Sequence, residues 1–248
     1  MPPPAVIFDF DGTIALGSGP LNAYARCIGT VTDERIGRAC LAIIEEFDAG
    51  TTEFADAYDA VRAVAVELGV TNAQLSAAYL ASRKLLATDE APIFAPEGLG
   101  DFMRTLSKHA TCVLATNAPH ISLDRALETL GVADSISEIN ADLGKPAGLE
   151  LVIAAHIARG ATLAVGDRWD NDLAPAEKFG AATALVGSGA ASGRPTMRGA
   201  TLTDIYDAIL DWAKSPVALH AAPGAVTTTP DGKTTTDIAQ PPSYVDPH

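Results

Sequence analysis

The sequence has little positive charge. Its 248 residues include 17 lysines and arginines against 31 aspartates and glutamates, which gives a formal net charge of −14. A protein that binds nucleic acid normally presents a basic face to the phosphate backbone, so this balance argues against a nucleic-acid partner. Acidity alone favours solubility and identifies no substrate. No apolar run of about 18 residues occurs, so no membrane-spanning helix is expected.

Cysteine is also scarce. The three cysteines, Cys27, Cys40 and Cys112, are irregularly spaced, so they indicate neither a disulfide framework nor a zinc site. Buried small hydrophobic positions explain them better. The first apolar segment is not preceded by the basic region that secretory signals normally carry, and we therefore expect a cytoplasmic protein.

Apolar residues make up 48% of the chain, enough for a sizeable core. Several short apolar segments lack polar alternation, which is typical of strands covered on both faces. Helical patterns ending at Gly131, Gly160 and Gly180 separate the later segments. This order predicts an α/β fold with a doubly wound, Rossmann-like parallel sheet. The predicted strands are Ala5–Phe10, Thr111–Asn117, roughly Ser137–Ala141, Thr162–Asp167 and Thr183–Gly187.

The interval between Thr13 and Phe94 breaks this rhythm. It spans about 80 residues, whereas one crossover helix needs only about a dozen, and it carries amphipathic helical stripes rather than a strand. We therefore predict a smaller all-helical domain over residues 16–94. Residues 1–15 and 95–214 would form the core, and threonine runs with prolines predict a disordered tail over residues 215–248.

The strongest chemical signal is the run Asp9–Thr13 (DFDGT). Residues two apart in an extended chain point to the same side, so Asp9 and Asp11 are expected to face one spot at the carboxyl edge of the sheet. Two close carboxylates repel one another unless a cation compensates, and Mg²⁺ prefers oxygen ligands. Gly12 would let its N–H approach a phosphate. An Asp-capped turn explains the motif, taken alone, equally well.

Polar residues also lie at the end of the second predicted strand and after the third. Thr116 and Asn117 lie where a hydroxyl and free amides at a helix start would suit a phosphate oxygen, although a helix cap is the ordinary explanation. Lys145 precedes Pro146, which can start a helix. Lys145 could balance the charge of Asp9 and of a phosphoryl group, whereas most lysines are solvated surface charges.

Three carboxylates lie within six residues at and after the end of the fourth predicted strand, namely Asp167, Asp170 and Asp172. Acidic residues at a helix start would explain the later two. They explain Asp167 poorly, because it lies directly at the strand end. We predict Asp167 as a metal ligand and Asp172 as a supporting or second-rank ligand.

Together these four pieces, in this order, resemble the motifs of the haloacid dehalogenase-like superfamily. They match its D-x-D-G-T motif, its Thr or Ser after the second strand, its Lys, and its acidic G-D-x-x-x-x-D motif. The resemblance covers roughly residues 5–215 and implies a helical cap inserted after the first strand. Only 28 residues lie between Thr116 and Lys145, too few for the other cap position. Ala147 and Gly148 stand where relatives often carry Asp-Pro.

The resemblance implies a Mg²⁺-dependent phosphatase that acts on a small phosphorylated metabolite through an aspartyl-phosphate. Asp9 would be the nucleophile and Asp11 the acid and base. The implied catalytic residues are Asp9, Asp11, Thr116 and Lys145. The implied phosphate-binding residues are Gly12, Thr116, Asn117 and Lys145. The implied metal ligands are Asp9, Asp11 through its backbone carbonyl, Asp167 and Asp172.

Other functions stay open at this point. A dehalogenase is disfavoured because Asp11 stands at the position of an acid and base that phosphate esters need. A sugar-phosphate mutase of the same family shares the same core residues, and a catalytically silent binding module would keep the fold. Arg26, Arg35 and Arg38 are candidates for recognising an anionic substrate, although solvated positions suit most of them. The substrate and the oligomeric state do not follow from the sequence.

Overall fold

The computed structural model describes residues 2–54, 56–189 and 191–216. Within these residues one parallel sheet of six strands has helices on both faces, in the order β3-β2-β1-β4-β5-β6. The predicted doubly wound α/β fold is confirmed. The strands are β1 (Ala5–Phe8), β2 (Thr111–Ala115), β3 (Glu138–Asn140), β4 (Thr162–Gly166), β5 (Ala182–Val186) and β6 (Met197–Gly199). The helices are α1 (Gly19–Val31), α2 (Glu34–Asp48), α3 (Ala57–Glu67), α4 (Asn72–Lys84), α5 (Leu99–Leu106), α6 (Leu123–Thr129), α7 (Ala147–Ile157), α8 (Ala174–Lys178) and α9 (Tyr206–Lys214).

The sheet is buried on both faces because its strands carry apolar side chains on both sides. In β1, Val6 and Phe8 belong to a core layer shared with α5, α6 and α9. Ile7, between them, belongs to the opposite layer, with α7 and α8. All three are at most 2% exposed, and burying one such side chain contributes about 1.5–3 kcal/mol. This two-sided burial explains the absence of polar alternation in the sequence.

Some predicted strand limits were wrong by one or two residues. β1 ends at Phe8 rather than Phe10, and β2 ends at Ala115 rather than Asn117. The polar residues that follow leave the ladder and turn at the edge of the sheet. The sequence patterns also missed β6, which has only three residues, pairs with β5 and is partly exposed.

Helices α1–α4 form a bundle, called the helical bundle below, between β1 and α5. It has its own apolar cluster, which contains Leu21, Tyr24, Ile28, Cys40, Ile44, Val61 and Leu75. The two chain segments that join it to the sheet pair with each other, because Leu16 and Phe94 exchange backbone hydrogen bonds of 2.8 and 2.9 Å. Helix α1 belongs to none of the stripes predicted from the sequence. The division into a core and a separate domain over residues 16–94 stays a prediction.

Two further predictions concern the ends and surfaces of the chain. No helix within residues 2–54, 56–189 and 191–216 is long and apolar enough to cross a membrane. The tail predicted over residues 215–248 lies, apart from its first two residues, outside the described part of the chain.

The contact between α1 and α2 depends on two glycines. A Cβ atom on Gly37 would lie 2.8 Å from the Cα of Gly29, closer than real side chains approach a backbone. Gly37→Ala should therefore lower the free energy of unfolding by about 1–3 kcal/mol, the usual cost of overpacking. This loss should appear even though alanine favours a helix over glycine by about 1 kcal/mol. Thermal or urea unfolding measures the difference.

Glu45→Ala is the matched control, since Glu45 is exposed on the same helix and alanine is also the better helix former there. It should leave stability unchanged or slightly raised. A Gly37→Ala variant as stable as Glu45→Ala would show that the two helices do not need this close approach.

Candidate active site

A cleft of about 830 Å³ opens between the carboxyl edge of the sheet and the helical bundle. It lies where the strand order reverses, since β1 is flanked by β2 on one side and β4 on the other. Open α/β sheets bind ligands at such a switch point. All eight residues predicted for the site line this cleft: Asp9, Asp11, Gly12, Thr116, Asn117, Lys145, Asp167 and Asp172.

At the end of β1, both the backbone and the side chain of Asp9 are held by hydrogen bonds. Its backbone N–H donates to Val165 in β4 at 2.9 Å, which continues the ladder by one residue. The Thr13 hydroxyl donates to Asp9 Oδ2 at 3.2 Å. Lys145 Nζ donates to Asp9 Oδ1 at 2.6 Å. These contacts fix the direction in which the Asp9 carboxylate faces the cleft.

Lys145 joins two carboxylates. Besides Asp9, its Nζ donates to Asp172 Oδ1 at 2.8 Å, and its side chain is only 3% exposed. Burial alone lowers the pKa of Lys145, but the charges of Asp9 and Asp172 outweigh it and raise the pKa above its ordinary value. Lys145 is therefore a firmly charged ammonium group beside the nucleophile candidate.

Asp9, Asp167 and Asp172 form a cluster in which one carboxylate oxygen from each lies within 4.8 Å of the others. Burial, followed by the charges of Asp9 and Asp172, raises the pKa of Asp167 to about 7. Burial and Asp9 also raise the pKa of Asp172 to about 6, although Lys145 opposes this. One lysine does not compensate three converging carboxylates, so the cluster has an excess of negative charge.

The donor set fits a hard divalent cation, because Mg²⁺ and Ca²⁺ take oxygen ligands. Two glycines make room for the cluster. A Cβ on Gly12, whose φ is +84°, would lie 2.6 Å from Asp167 Oδ2. A Cβ on Gly166 would lie 2.5 Å from the Cβ of Asp172. The residues present therefore suit a magnesium ion, held by Asp9 and Asp167 with Asp172 beside them.

The structure changes the predicted role of Gly12. Its N–H, expected to contact a phosphate, donates to the Ala15 carbonyl at 2.9 Å, so Gly12 acts here by admitting Asp167. The Asn117 side-chain oxygen accepts from the backbone N–H of Lys145 at 2.7 Å and so positions the lysine. The Thr116 hydroxyl oxygen accepts from the N–H of Ala118 at 3.0 Å, which leaves its own proton to donate into the cleft.

Asp11 faces an arginine that the sequence patterns missed. Arg83, in the last turn of α4, is 1% exposed, and its Nη1 lies 3.6 Å from Asp11 Oδ1. None of its three guanidinium nitrogens has a hydrogen-bond partner among the described residues. Poor hydration raises the pKa of Asp11, and the charge of Arg83 opposes this. The signal in the sequence was a charged residue four positions after Tyr79, on the buried stripe of α4.

The bundle side of the cleft is aromatic. Tyr58 and Tyr79 line it, with their ring centroids 6.3 Å apart and nearly perpendicular. Tyr24 stacks on Tyr58 from behind, at 5.9 Å. Burial raises the pKa of Tyr58 and Tyr79, so both rings stay neutral phenols. The sequence patterns placed Tyr58 and Tyr79 on amphipathic helical stripes, as packing residues only, and they did not single out Tyr24.

A second ion pair, besides that of Arg83 with Asp11, joins the core to the helical bundle across the cleft. Arg168, which follows β4, donates from Nη1 to Asp56 Oδ2. The Asp56 carboxylate also caps α3, since it accepts from the backbone N–H of Asp59 at 3.0 Å. Both members of the pair line the cleft. Nothing in the spacing of the sequence connects them.

Comparison with protein families gives one match, a model described as haloacid dehalogenase-like hydrolase, over residues 3–180. The chain belongs to the haloacid dehalogenase-like hydrolases. The match contains every residue of the site described above, and it confirms the resemblance derived from the four motifs. A comparison of the sequence with curated proteins finds no match.

Solved structures of this fold are similar to 82–85% of this chain at low identity. The HAD-hydrolase YfnB from Bacillus subtilis, determined with bound magnesium, has a TM-score of 0.59 and 16% identity, over 84% of this chain and 99% of its own. A predicted phosphoglycolate phosphatase from Haemophilus somnus 129pt has a TM-score of 0.56 and 16% identity, over 82% of this chain and 96% of its own. A 2-haloacid dehalogenase from Pseudomonas syringae pv. tomato DC3000 has a TM-score of 0.54 and 16% identity, over 85% of this chain and 100% of its own. Similarity at this level shows the fold, which phosphatases and dehalogenases share.

The burial of Asp167 beside two other carboxylates predicts an unusual effect of Asp167→Asn on stability. The folded-state pKa of Asp167 is about 7, above its ordinary value of about 3.9. The native state therefore binds this proton more tightly, and metal-free stability falls as the pH rises between these values. Above about pH 7, Asp167→Asn should be more stable than wild type by at most about 4 kcal/mol. Thermal unfolding in EDTA measures this difference in stability between the variant and wild type, and the difference should disappear near pH 4.

Asp170→Asn is the control, because Asp170 is an exposed carboxylate in the helical turn that follows Asp167 and should show no such gain. Added Mg²⁺ should reverse the order, since it stabilises the native state by binding to it and Asp167→Asn lacks a ligand. If Asp167→Asn melts at or below the wild-type temperature in EDTA at about pH 8, the carboxylates are not crowded.

Proposed function

We propose that the protein is a Mg²⁺-dependent phosphatase that hydrolyses a small phosphorylated metabolite through a phosphoryl group carried on Asp9. The observation that supports this most is the position of the Asp9 carboxylate at the cleft floor. It contacts the Lys145 ammonium at 2.6 Å and lies in one cluster with Asp167 and Asp172. A candidate nucleophile, its counter-charge and a candidate cation site therefore lie together at one point of the cleft. The magnesium bound to the Bacillus subtilis neighbour supports the same assignment of the metal.

In the first step, an Asp9 oxygen would attack phosphorus in line. A bond forms between that oxygen and phosphorus, the bond from phosphorus to the leaving oxygen breaks, and the Asp11 carboxyl donates its proton to the leaving oxygen. In the second step, Asp11 takes a proton from water as the water oxygen attacks phosphorus, and the bond between Asp9 and phosphorus breaks. Inorganic phosphate and free Asp9 result.

The other residues would stabilise charge and fix geometry, on which phosphoryl transfer mostly depends. Lys145 and the Thr116 hydroxyl would hold the phosphoryl oxygens. Mg²⁺, held by Asp9, Asp167 and the Asp11 backbone carbonyl with support from Asp172, would neutralise part of the charge on the phosphoryl group. The bundle over the cleft would act as a cap that limits access of bulk water.

Two other activities are distinguished from the proposed one by experiment. The Pseudomonas syringae neighbour is a dehalogenase, and release of halide from a haloacid would favour that activity. Asp11, an acid and base for the leaving oxygen, favours phosphate esters instead. A sugar-phosphate mutase would need a sugar bisphosphate for turnover, whereas a phosphatase would not.

The direct test is hydrolysis of p-nitrophenyl phosphate with Mg²⁺ and with EDTA. We expect turnover that EDTA abolishes and that Asp9→Asn lowers by at least about a thousand-fold, because the amide cannot act as the nucleophile. Circular dichroism should show the variant folded. Asp134→Asn, an exposed change outside the cleft, should keep wild-type activity.

Retained activity in Asp9→Asn would move the nucleophile to another residue. Absence of metal-dependent turnover across a broad panel of phosphate esters would favour a catalytically silent binding protein.

A second test uses Arg83, because we expect this residue to position the Asp11 carboxyl group rather than to stabilise the fold. We expect Arg83→Met to lower turnover of alkyl phosphates about ten-fold or more, one ten-fold step being about 1.4 kcal/mol. Such esters have poor leaving groups and depend most on a positioned proton donor. Thermal stability should stay equal or rise, since replacing a buried charge with a hydrophobic residue of similar volume is often neutral or stabilising.

Arg83→Lys, which keeps the charge, should recover part of the turnover. Turnover of p-nitrophenyl phosphate, whose leaving group needs less protonation, should fall less than that of alkyl esters. A lower melting temperature with wild-type turnover would make Arg83 a purely structural residue.

A further inference from the structure

The bundle side of the cleft, where the leaving group of a phosphate ester would lie, is mainly apolar and aromatic. Pro20, Leu21, Phe47, Tyr58 and Tyr79 line it. The tyrosine rings are held by contacts with each other and with Tyr24, so they form a firm surface. A ring or apolar group can bury its face on such a wall without losing hydrogen bonds.

The charges on this side of the cleft are negative. Asp48 and Asp56 contribute carboxylates from the helical bundle. Within the described residues, the cleft lining includes two cations, and both are paired. Lys145 contacts Asp9 and Asp172, while Arg168 contacts Asp56.

The arginines considered for an anionic substrate do not line the cleft. Arg35 pairs with Asp33 and Arg38 pairs with Glu34. Arg26 donates to the Glu90 carbonyl. Arg83 lies buried against Asp11. A carboxylate on the leaving group would therefore approach two like charges, while both cations among the described lining residues are already paired. This arrangement disfavours leaving groups that carry a negative charge.

We infer that the preferred substrates are phosphate monoesters whose leaving group is uncharged and carries a ring or another apolar face, such as a nucleoside or an aromatic alcohol. The pair between Asp56 and Arg168 enforces this choice, because Asp56 neutralises the cation that could bind a substrate carboxylate. This inference rests on the proposed phosphatase activity. The cleft volume of about 830 Å³ leaves room for a ring beyond the phosphoryl group, since ligand sites range over about 300–1,000 Å³.

The test compares esters that differ by one charge and little in shape. The pairs are para-carbamoylphenyl phosphate with para-carboxyphenyl phosphate, and phosphoglycolamide with phosphoglycolate. We expect kcat/KM for each amide to exceed that of its carboxylate by about ten-fold or more, which corresponds to about 1.4 kcal/mol. Benzyl phosphate, which carries a ring on an alkyl leaving group, should also be a better substrate than phosphoglycolamide. Equal values, or a preference for the carboxylates, would overturn the inference while leaving the phosphatase activity in place.

A failure of the proposed phosphatase activity would give a different experimental result. If neither the pairs nor p-nitrophenyl phosphate release phosphate in the presence of Mg²⁺, the phosphatase activity is wrong, and the substrate class is wrong with it. Activity on p-nitrophenyl phosphate with no discrimination within the pairs overturns the substrate class alone.

Asp56→Asn tests the role of the ion pair. Asparagine caps a helix about as well as aspartate, so α3 should keep its start, while Arg168 loses its counter-charge. We expect the ratio of kcat/KM for the carboxylate ester to that for the amide to rise about ten-fold, the equivalent of 1.4 kcal/mol. Adding Arg168→Gln to Asp56→Asn should cancel the rise.

Asp59→Asn is the matched control, because Asp59 is an exposed carboxylate in the first turn of the same helix and does not line the cleft. It should leave the ratio unchanged. If Asp56→Asn also leaves the ratio unchanged, or changes it no more than Asp59→Asn does, the pair between Asp56 and Arg168 does not select substrates.

Discussion

Repulsion among carboxylates at the carboxyl edge of the sheet is the constraint on which the site depends. Asp9 and Asp167 follow the ends of two neighbouring strands, β1 and β4, and Asp172 returns to them from the next turn. Lys145 compensates part of this charge by contacting Asp9 and Asp172. Burial, together with the remaining excess of negative charge, raises the pKa of Asp167, so a proton or a divalent cation is favoured there. A metal-dependent reaction of a phosphate ester uses such a site directly.

The helical bundle contributes further residues to the site from the opposite side of the cleft. It supplies Arg83, which is buried against Asp11, and the aromatic wall of Tyr58 and Tyr79. It also supplies Asp56, which pairs with Arg168 of the core. The sheet edge thus provides the reacting groups, while the bundle positions the proposed acid and base and shapes the space for the leaving group.

Much of the sheet-edge site could be predicted because parallel strands bring their carboxyl ends to one edge. Each motif residue follows an apolar segment, so a strand assignment places Asp9, Thr116, Lys145 and Asp167 together without knowledge of the helices. The argument that Asp9 and Asp11 share an extended strand was wrong in detail, because β1 ends at Phe8. Both residues still reach the cleft, since the turn after β1 runs along its floor.

The bundle side could not be predicted in the same way. Amphipathic stripes show which face of a helix is buried, but not which residues of two helices meet. The pairing of Asp56 with Arg168 joins positions 112 residues apart, and the aromatic wall depends on how α3 and α4 each pack against α1. The N–H of Gly12 was assigned to a phosphate because local sequence does not show that Ala15 accepts it.

The most direct measurement of the central claim is the identity of the residue that carries the phosphoryl group. Asp11→Asn should slow release of phosphate, so an acid quench during turnover followed by peptide mass spectrometry should detect the intermediate. The account predicts the added mass of one phosphoryl group on the peptide that contains Asp9, and its absence in a variant that also carries Asp9→Asn. A phosphoryl group on any other residue, or turnover of a phosphate ester with Asp9 never modified, would contradict it.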